Sequence, residues 1–185
     1  MPFNLASPPS VLFDPSWDEG FDMPRLKASP YKEGEAFGMD ASFALPEVWR
    51  FARHLSSPSE AVAWLDWCDA HGDHRPFTLR LEDGSLAGFL VVLRRGKGTI
   101  EIGGWLSHTL WGQGLGREML AGVCRKAQQC GEKMLVADVD KDHSLVRRLL
   151  TTVGFYEEGG LFYLELSPWE SGMNHPQKRP LKGSV

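Results

Sequence analysis

Between Pro76 and Gln129 the chain changes its hydrophobic period once, at a glycine-rich turn, and that change limits most of what it can fold into. Residues 76–106 read as three successive strands: FTLRLE ends at the turn pair Asp83-Gly84, SLAGFLVVLRR ends at Gly96-Lys97-Gly98, and TIEIGGWL follows. Beyond the loop Ser107 to Trp111, the residues Leu115, Met119, Leu120, Val123, Cys124 and Ala127 recur at helical spacing, and Gly131 is placed to cap the end. An antiparallel meander feeding a long amphipathic helix calls for a mixed α/β domain in which one helix face is buried on the sheet.

The remaining segments extend that plan. MLVADVD reads as a buried strand, HSLVRRLLTT as a short helix stopped by Gly154, and FYEEGGLFYLEL as a hairpin around Gly159-Gly160. Upstream, one helix is predicted over Pro46 to Leu55. A second opens at Ser57-Pro58-Ser59-Glu60, where Ser57 caps, Pro58 takes the first helical position and Glu60 completes a capping box. Their apolar faces carry Val48, Trp49, Ala52, Val62, Leu65 and Cys68. The expected order over residues 43–167 is α-α-β-β-β-α-β-α-β-β. Residues 1–42, rich in Pro, Gly, Ser and acidic side chains, read either as an extended arm on the domain or as a disordered leader. Phe13, Trp17, Phe21, Tyr31 and Phe37 speak for packing. Residues 168–185 read as a flexible tail.

Composition sets the outer limits. A chain of 185 residues that is 42% hydrophobic supplies one core. A net charge of -4 gives no broad basic field for nucleic acid. No signal-like start and no run approaching ~20 apolar residues is present, so no membrane association is expected. Cys68, Cys124 and Cys130 have no framework spacing, read as reduced thiols and point to the cytoplasm.

The turn Trp111-Gly112-Gln113-Gly114-Leu115-Gly116-Arg117 carries the chemistry. A strand running through it into a helix leaves the first helical N–H groups unpaired at the positive end of the helix dipole, which suits a phosphate group. Glycines at 112, 114 and 116 let backbone approach an anion, and Arg117 adds a cation. A nucleotide hydrolase loop would end in Gly-Lys-Ser/Thr, and here Gly116-Arg117-Glu118 stands. A dinucleotide fingerprint would place its third glycine at Met119, although Asp138 falls near the distance of a ribose-binding acid. The antiparallel strands upstream speak against that reading.

The turn resembles the Q/R-x-x-G-x-G/A signature of the GNAT acetyltransferase superfamily, with Gly114 and Gly116 on its small positions and Trp111 replacing the first polar residue. The Trp-Gly-Gln-Gly run is similar to the branch that acetylates ribosomal-protein N-termini. Val153-Gly154-Phe155 looks like the family's Leu-Gly-Phe ending, and the resemblance spans about residues 44–166. It implies a mostly antiparallel central sheet flanked by helices and splayed near its fourth and fifth strands to admit acetyl-CoA. The backbone of Gly112, Gln113, Gly114, Leu115, Gly116 and Arg117 would hold the pyrophosphate, and the strand at Trp105 and Leu106 would pair with the pantetheine arm. Trp111 would pack on adenine or pantetheine.

Acyl transfer to an amine needs a base, an oxyanion donor and an acid for the departing thiolate. Glu101, inside Ile100-Glu101-Ile102, is the candidate base through a water, the alternative being an ordinary outward strand charge. Many members of the family place an acidic tyrosine where Leu150 stands. The family's cofactor-touching Asn corresponds to His143, beside Ser144. Either residue is a candidate donor to the thiolate, and capping by Asp142 or Ser144 is the alternative. A thiolate leaves readily, so activity without the tyrosine is expected, and no cysteine nucleophile is implied. Arg147, Arg148, Lys178 and Lys182 are candidates for the ribose 3′-phosphate or an acidic acceptor, and Trp49, Trp64, Trp67, Trp105 and Trp111 for an acceptor pocket or core. Cys68, His71 and His74 lack the second half of a zinc site, so no metal is expected. The reading is an acetyl-CoA-dependent N-acetyltransferase acting on a small-molecule or peptide amine, with a homodimer possible. The alternatives are a non-catalytic acyl-CoA-binding module and a dinucleotide oxidoreductase.

Overall fold

The computed structural model describes residues 13–35, 43, 45, 48, 50 and 55–168. Most of the helix expected over 46–55, with Trp49 and Ala52, lies outside the described residues, as do Phe37, Lys178 and Lys182.

Among the described residues a single eight-stranded sheet forms the centre, in the order β1-β2-β3-β4-β5-β6-β8-β7. Its strands are β1 (Phe21–Asp22), β2 (Leu26–Pro30), β3 (His74–Leu81), β4 (Leu86–Gly96), β5 (Thr99–Leu106), β6 (Met134–Asp138), β7 (Tyr156–Glu158) and β8 (Leu161–Glu165). The helices are α1 (Pro58–Asp69), α2 (Leu115–Gln129) and α3 (Ser144–Val153). The order from residue 58 onward is the one read from the pattern. Every neighbouring pair is antiparallel except β5 and β6, which are parallel and joined through α2.

The main difference lies upstream. Residues 21–30, expected in an arm, are the first two strands of the sheet, and Pro15–Glu19 forms a 3-10 turn before them. Trp17 and Ala28 are wholly buried, and Phe13 and Leu26 nearly so. Of the aromatics that suggested packing, Phe13, Trp17 and Tyr31 are core residues and Phe21 packs against them, surrounded by enough Pro, Gly and charge to hide two short strands from a pattern reading.

The sheet divides two apolar layers. Ile100, Ile102, Leu79 and Val92 face α2 and α3 together with Leu115, Leu120, Val123, Leu150 and Phe155. On the other face Phe89 and Val91 meet Leu65, Cys68 and Tyr31. Ser57 accepts from the N–H of Glu60 at 3.3 Å as expected, while the Glu60 carboxylate reaches back one residue further than expected, to the N–H of Ser56 at 2.7 Å. At the end of α2, Gly131 adopts φ +73°, and the N–H groups of Gly131 and Glu132 return to Gln128 and Ala127.

Two features position the site. The parallel ladder between β5 and β6 stops after three pairs, at Glu101↔Val136, while β5 runs on to Leu106. Gly103 and Gly104 in that extension are exposed although they lie in a sheet interior by strand order. At Gly104 a Cβ would lie 2.5 Å from the Phe89 carbonyl oxygen, so only glycine lets β5 lie this close to β4 there.

Candidate functional site

The carboxyl end of β5 runs through a 3-10 turn at His108–Leu110 into the glycine turn and α2. Gly112 and Gly114 take φ of +76° and +80°, values that favour glycine, and Gly114 is the N-cap of α2. The first turn of the helix closes from the N–H of Glu118 to the carbonyl of Gly114 at 3.2 Å. The N–H groups of Leu115, Gly116 and Arg117 therefore precede the helical ladder, and no side chain caps them. Residues 111–114 are exposed, so the positive end of α2 opens on solvent.

The glycines divide their roles. A Cβ on Gly112 would meet nothing within 4 Å. At Gly116 a Cβ would lie 3.2 Å from Leu149 Cδ2, so its missing side chain also serves the contact between α2 and α3. Arg117 is exposed. Trp111, 38% exposed, donates from its indole Nε1–H to the Leu106 carbonyl at 3.0 Å, and Gln113 Nε2 donates to the Thr109 carbonyl at 2.9 Å. The first bond ties the glycine turn back to β5, and the second ties it to the 3-10 turn between them.

The residue that sequence reading missed is Arg25, in the connection between β1 and β2. Its backbone N–H and Nε donate to the two oxygens of Glu118 at 2.5 and 2.8 Å, and its NH1 donates to the Gln113 carbonyl at 3.1 Å. Nothing local in MPRLKA marks such a role, because the partners lie about ninety residues on.

Glu101 lies on the sheet face of Phe89, Val91 and Trp105, opposite Ile100 and Ile102, and its side chain is 15% exposed. Arg95 holds it, with Nε donating to Oε2 at 2.6 Å. Two residues on, space above Gly103 is open, and two residues further Trp105 packs on Trp64 and Phe89 with centroids 6.0 and 5.7 Å apart. Glu101 and Trp105 therefore flank an open stretch of strand, and Trp64, Trp67 and Trp105 pack with the α1-side cluster.

At the head of α3 the expected caps are absent. His143 is itself the N-cap and makes no side-chain capping bond, Ser144 is the exposed first helical residue, and Asp140 Oδ1 accepts from the N–H of Asp142 at 2.8 Å. Burial pulls the His143 imidazole below its ordinary pKa, with Asp140 opposing. Leu150 is 2% exposed and faces the core. Of the three tyrosines in the chain, Tyr31 donates to Asp66 at 2.6 Å, while Tyr156 and Tyr163 stack on each other at 5.8 Å. Arg147 pairs with Glu157, and Arg148 is exposed.

Cys68, His71 and His74 do not converge. His71 Nδ1 is 2.5 Å from the Trp67 carbonyl, His74 Nδ1 is 2.7 Å from Asp73, and the Cys68 thiol lies in the α1 core with its pKa raised by burial. His74 is buried, at 3% exposure. Among the described residues no group of three or more His, Cys, Asp or Glu is placed to hold a metal ion. No helix among them is long and apolar enough to cross a membrane.

A parallel strand-helix-strand unit entered through a glycine turn is what a dinucleotide fold and an acyltransferase fold share, and the antiparallel remainder of this sheet separates the two. The solved structures agree. A probable acetyltransferase of the GNAT family from Chromobacterium violaceum superposes with a TM-score of 0.74 at 16% identity, over 89% of this chain and 96% of that one. RimJ from Mycobacterium smegmatis, in complex with CoA-disulfide, gives 0.63 at 19% identity over 76% and 81%. Spermidine N-acetyltransferase from Vibrio cholerae, in complex with CoA and spermine, gives 0.66 at 12% identity over 76% and 95%. A RimL ribosomal L7/L12 α-N-protein acetyltransferase is also among the structural neighbours. No curated protein matches in sequence. The family model for the acetyltransferase (GNAT) domain matches residues 25–156, and the chain belongs to that family.

Proposed function

We propose that this chain moves the acetyl group of acetyl-CoA directly onto a primary amine, on a protein N-terminus or a small molecule. The observation that carries the proposal is the uncapped start of α2 at Gly112–Gly114, set at the end of a β5 edge that β6 leaves unpaired beyond Glu101. On this reading the pyrophosphate meets the N–H groups of residues 114–117. The pantetheine arm pairs with β5 in the splay between β5 and β6. The Leu106 carbonyl already accepts from Trp111, so the edge on offer centres on Gly103, Gly104 and Trp105.

The acceptor amine enters above Gly103, from the side of Glu101 and Trp105. Its lone pair attacks the thioester carbon, its proton passes through a water to Glu101 Oε1, the C–S bond breaks, and coenzyme A leaves as the thiolate. Arg95 occupies Oε2 and so aims the other oxygen. His143 and Ser144 are the candidate donors toward the thiolate. Coenzyme A needs little acid help, because thiols ionise near pH ~8.5. The proposed setting is cytoplasmic, with no metal taking part.

The test is calorimetric titration with acetyl-CoA, coenzyme A and NADH, repeated on G114V, followed by a thiol-release screen on N-terminal peptides and polyamines. Acetyl-CoA binding lost in G114V, together with thiol release on one amine class, supports the proposal. Binding without release on any amine points to the non-catalytic module, for which the buried Leu150 in place of an acid is the observation in favour. NADH binding in place of acetyl-CoA would end the acetyltransferase reading.

A further inference from the structure

The segment before β2 runs along one face of α2, against residues spaced one helical turn apart. Ser16 Oγ lies 3.1 Å from Cys130 Sγ, and Lys126 Nζ donates to the Ser16 carbonyl at 2.6 Å. A Cβ on Gly122 would strike Met23 Cγ and Sδ at 2.5 Å, with Phe21 behind them. Glu118 receives Arg25, and at Gly114 the nearest atom to a built Cβ is Arg25 NH2 at 3.7 Å. Positions 114, 118, 122, 126 and 130 form one stripe of the helix, and this strap follows it from the C-terminal end to the glycine turn.

What the strap delivers is a cation. Glu118 alone would be an obstacle at the turn, since a carboxylate in the first turn of α2 repels an anion approaching the helix start. Arg25 neutralises it with Nε and its backbone N–H, and NH1 holds the Gln113 carbonyl. NH2 has no described protein acceptor and lies on the side of Gly114 that a side chain would fill. The guanidinium is half exposed, so this nitrogen can meet a ligand from solvent. Arg117 has no comparable fixing among the described hydrogen bonds, and a cation held by three bonds loses less freedom on binding than one swinging from an exposed helix position.

We propose that Arg25 is a binding residue for the diphosphate of the cofactor, placed by Glu118 and Gln113 at the mouth of Gly114. This rests on the acetyl-CoA reading of the turn. Because the cation comes from the strap, the site is assembled from two distant parts of the chain, the turn itself and the connection between β1 and β2.

The test compares wild type, R25K and R25A by titration with acetyl-CoA and with 3′-dephospho-coenzyme A, each at several salt concentrations, with thermal unfolding of each variant alongside. Wild type decides the underlying reading first: if it binds neither ligand, the turn is no cofactor site and the assignment of Arg25 falls with it. Given wild-type binding, R25A is expected to lose about ten- to a hundredfold on both ligands alike, as for a charge-assisted hydrogen bond. Its affinity is also expected to depend less steeply on salt, while R25K keeps the wild-type slope at reduced affinity. Unchanged affinity in R25A would overturn the proposal. A loss with the wild-type salt slope would reduce Arg25 to a scaffold residue, and a loss confined to acetyl-CoA would move it to a group that 3′-dephospho-coenzyme A lacks; either result rejects the diphosphate assignment. If R25A does not fold, R25Q, which removes the charge and keeps a polar side chain, takes its place in the same comparison.

Discussion

Glu101 of β5 and Val136 of β6 form the last rung of the one parallel ladder among the described strands, and beyond them β5 continues without β6. The carboxylate thus stands where the sheet stops being closed, on the face where space above Gly103 is open. On the acetyltransferase reading, E101Q keeps its affinity for acetyl-CoA and loses about 10²- to 10⁴-fold in kcat, the range of a general base. The loss should shrink as pH rises and the acceptor amine deprotonates unaided. Steady-state kinetics against pH, once an acceptor is in hand, provide the check.

Gly114 and Gly116 should respond differently to the same substitution. G114A places a side chain at φ +80° and is expected to weaken acetyl-CoA binding about tenfold or more, through strain of ~1–2 kcal/mol at the N-cap. G116A meets only Leu149 Cδ2, the end of a flexible side chain, and should leave binding within about threefold. Titration of the two variants separates anion access from helix packing.

The pair Arg94–Glu132 is buried at 5% and 3% side-chain exposure, with two bonds of 2.6 Å, and Phe13 covers the guanidinium at 4.4 Å. E132A leaves a buried cation without its partner and is expected to cost about 3–5 kcal/mol in urea unfolding. The double variant R94M/E132L removes both charges and should recover most of that loss.

His143 gives the acid limb of stability a direction. Its folded pKa lies below the ordinary value of 6.5 because burial disfavours the charged ring. Below pH ~6.5 the unfolded chain therefore takes up the proton more readily than the folded one, and stability falls as pH drops through that window. Thermal unfolding between pH 5 and 7.5 should show a shallower decline in H143Q than in wild type, with the curves meeting above pH 7.

L150Y tests whether the missing tyrosine can be restored. The position faces the core, so the added phenol should destabilise by about 1–3 kcal/mol through overpacking and give no gain in kcat. A rise in kcat would show that the side chain turns out into the cleft.

Strongly periodic segments were legible without coordinates. The meander from Pro76 to Leu106 and the helix from Leu115 show their periods, and Gly112 and Gly114 announce the turn by composition. Pairings of distant segments were not. Nothing within 21–30 distinguishes two short sheet strands from a leader, because what makes them strands is β3, some fifty residues away, and the core that closes around Trp17. Arg25 escaped for the same reason, while Arg117 drew notice by sitting next to the motif. The capping of α3 was misread because Asp142 and Ser144 are good caps by residue type, and the geometry of the loop set His143 at the boundary instead.

The strap also has a consequence for the order in which the molecule can be finished. Its anchors, Lys126 and Cys130 for Ser16 and Glu118 for Arg25, are made about a hundred residues later, so a segment synthesised well before them is among the last to find its place. Until β3 has paired with β2 and α2 has closed over them, Trp17 and Phe13 lack most of their cover beside two short strands, a state inclined to associate with other chains. The guanidinium reaches the glycine turn only when that closure is complete, so a nascent or partly opened molecule carries the turn without its cation.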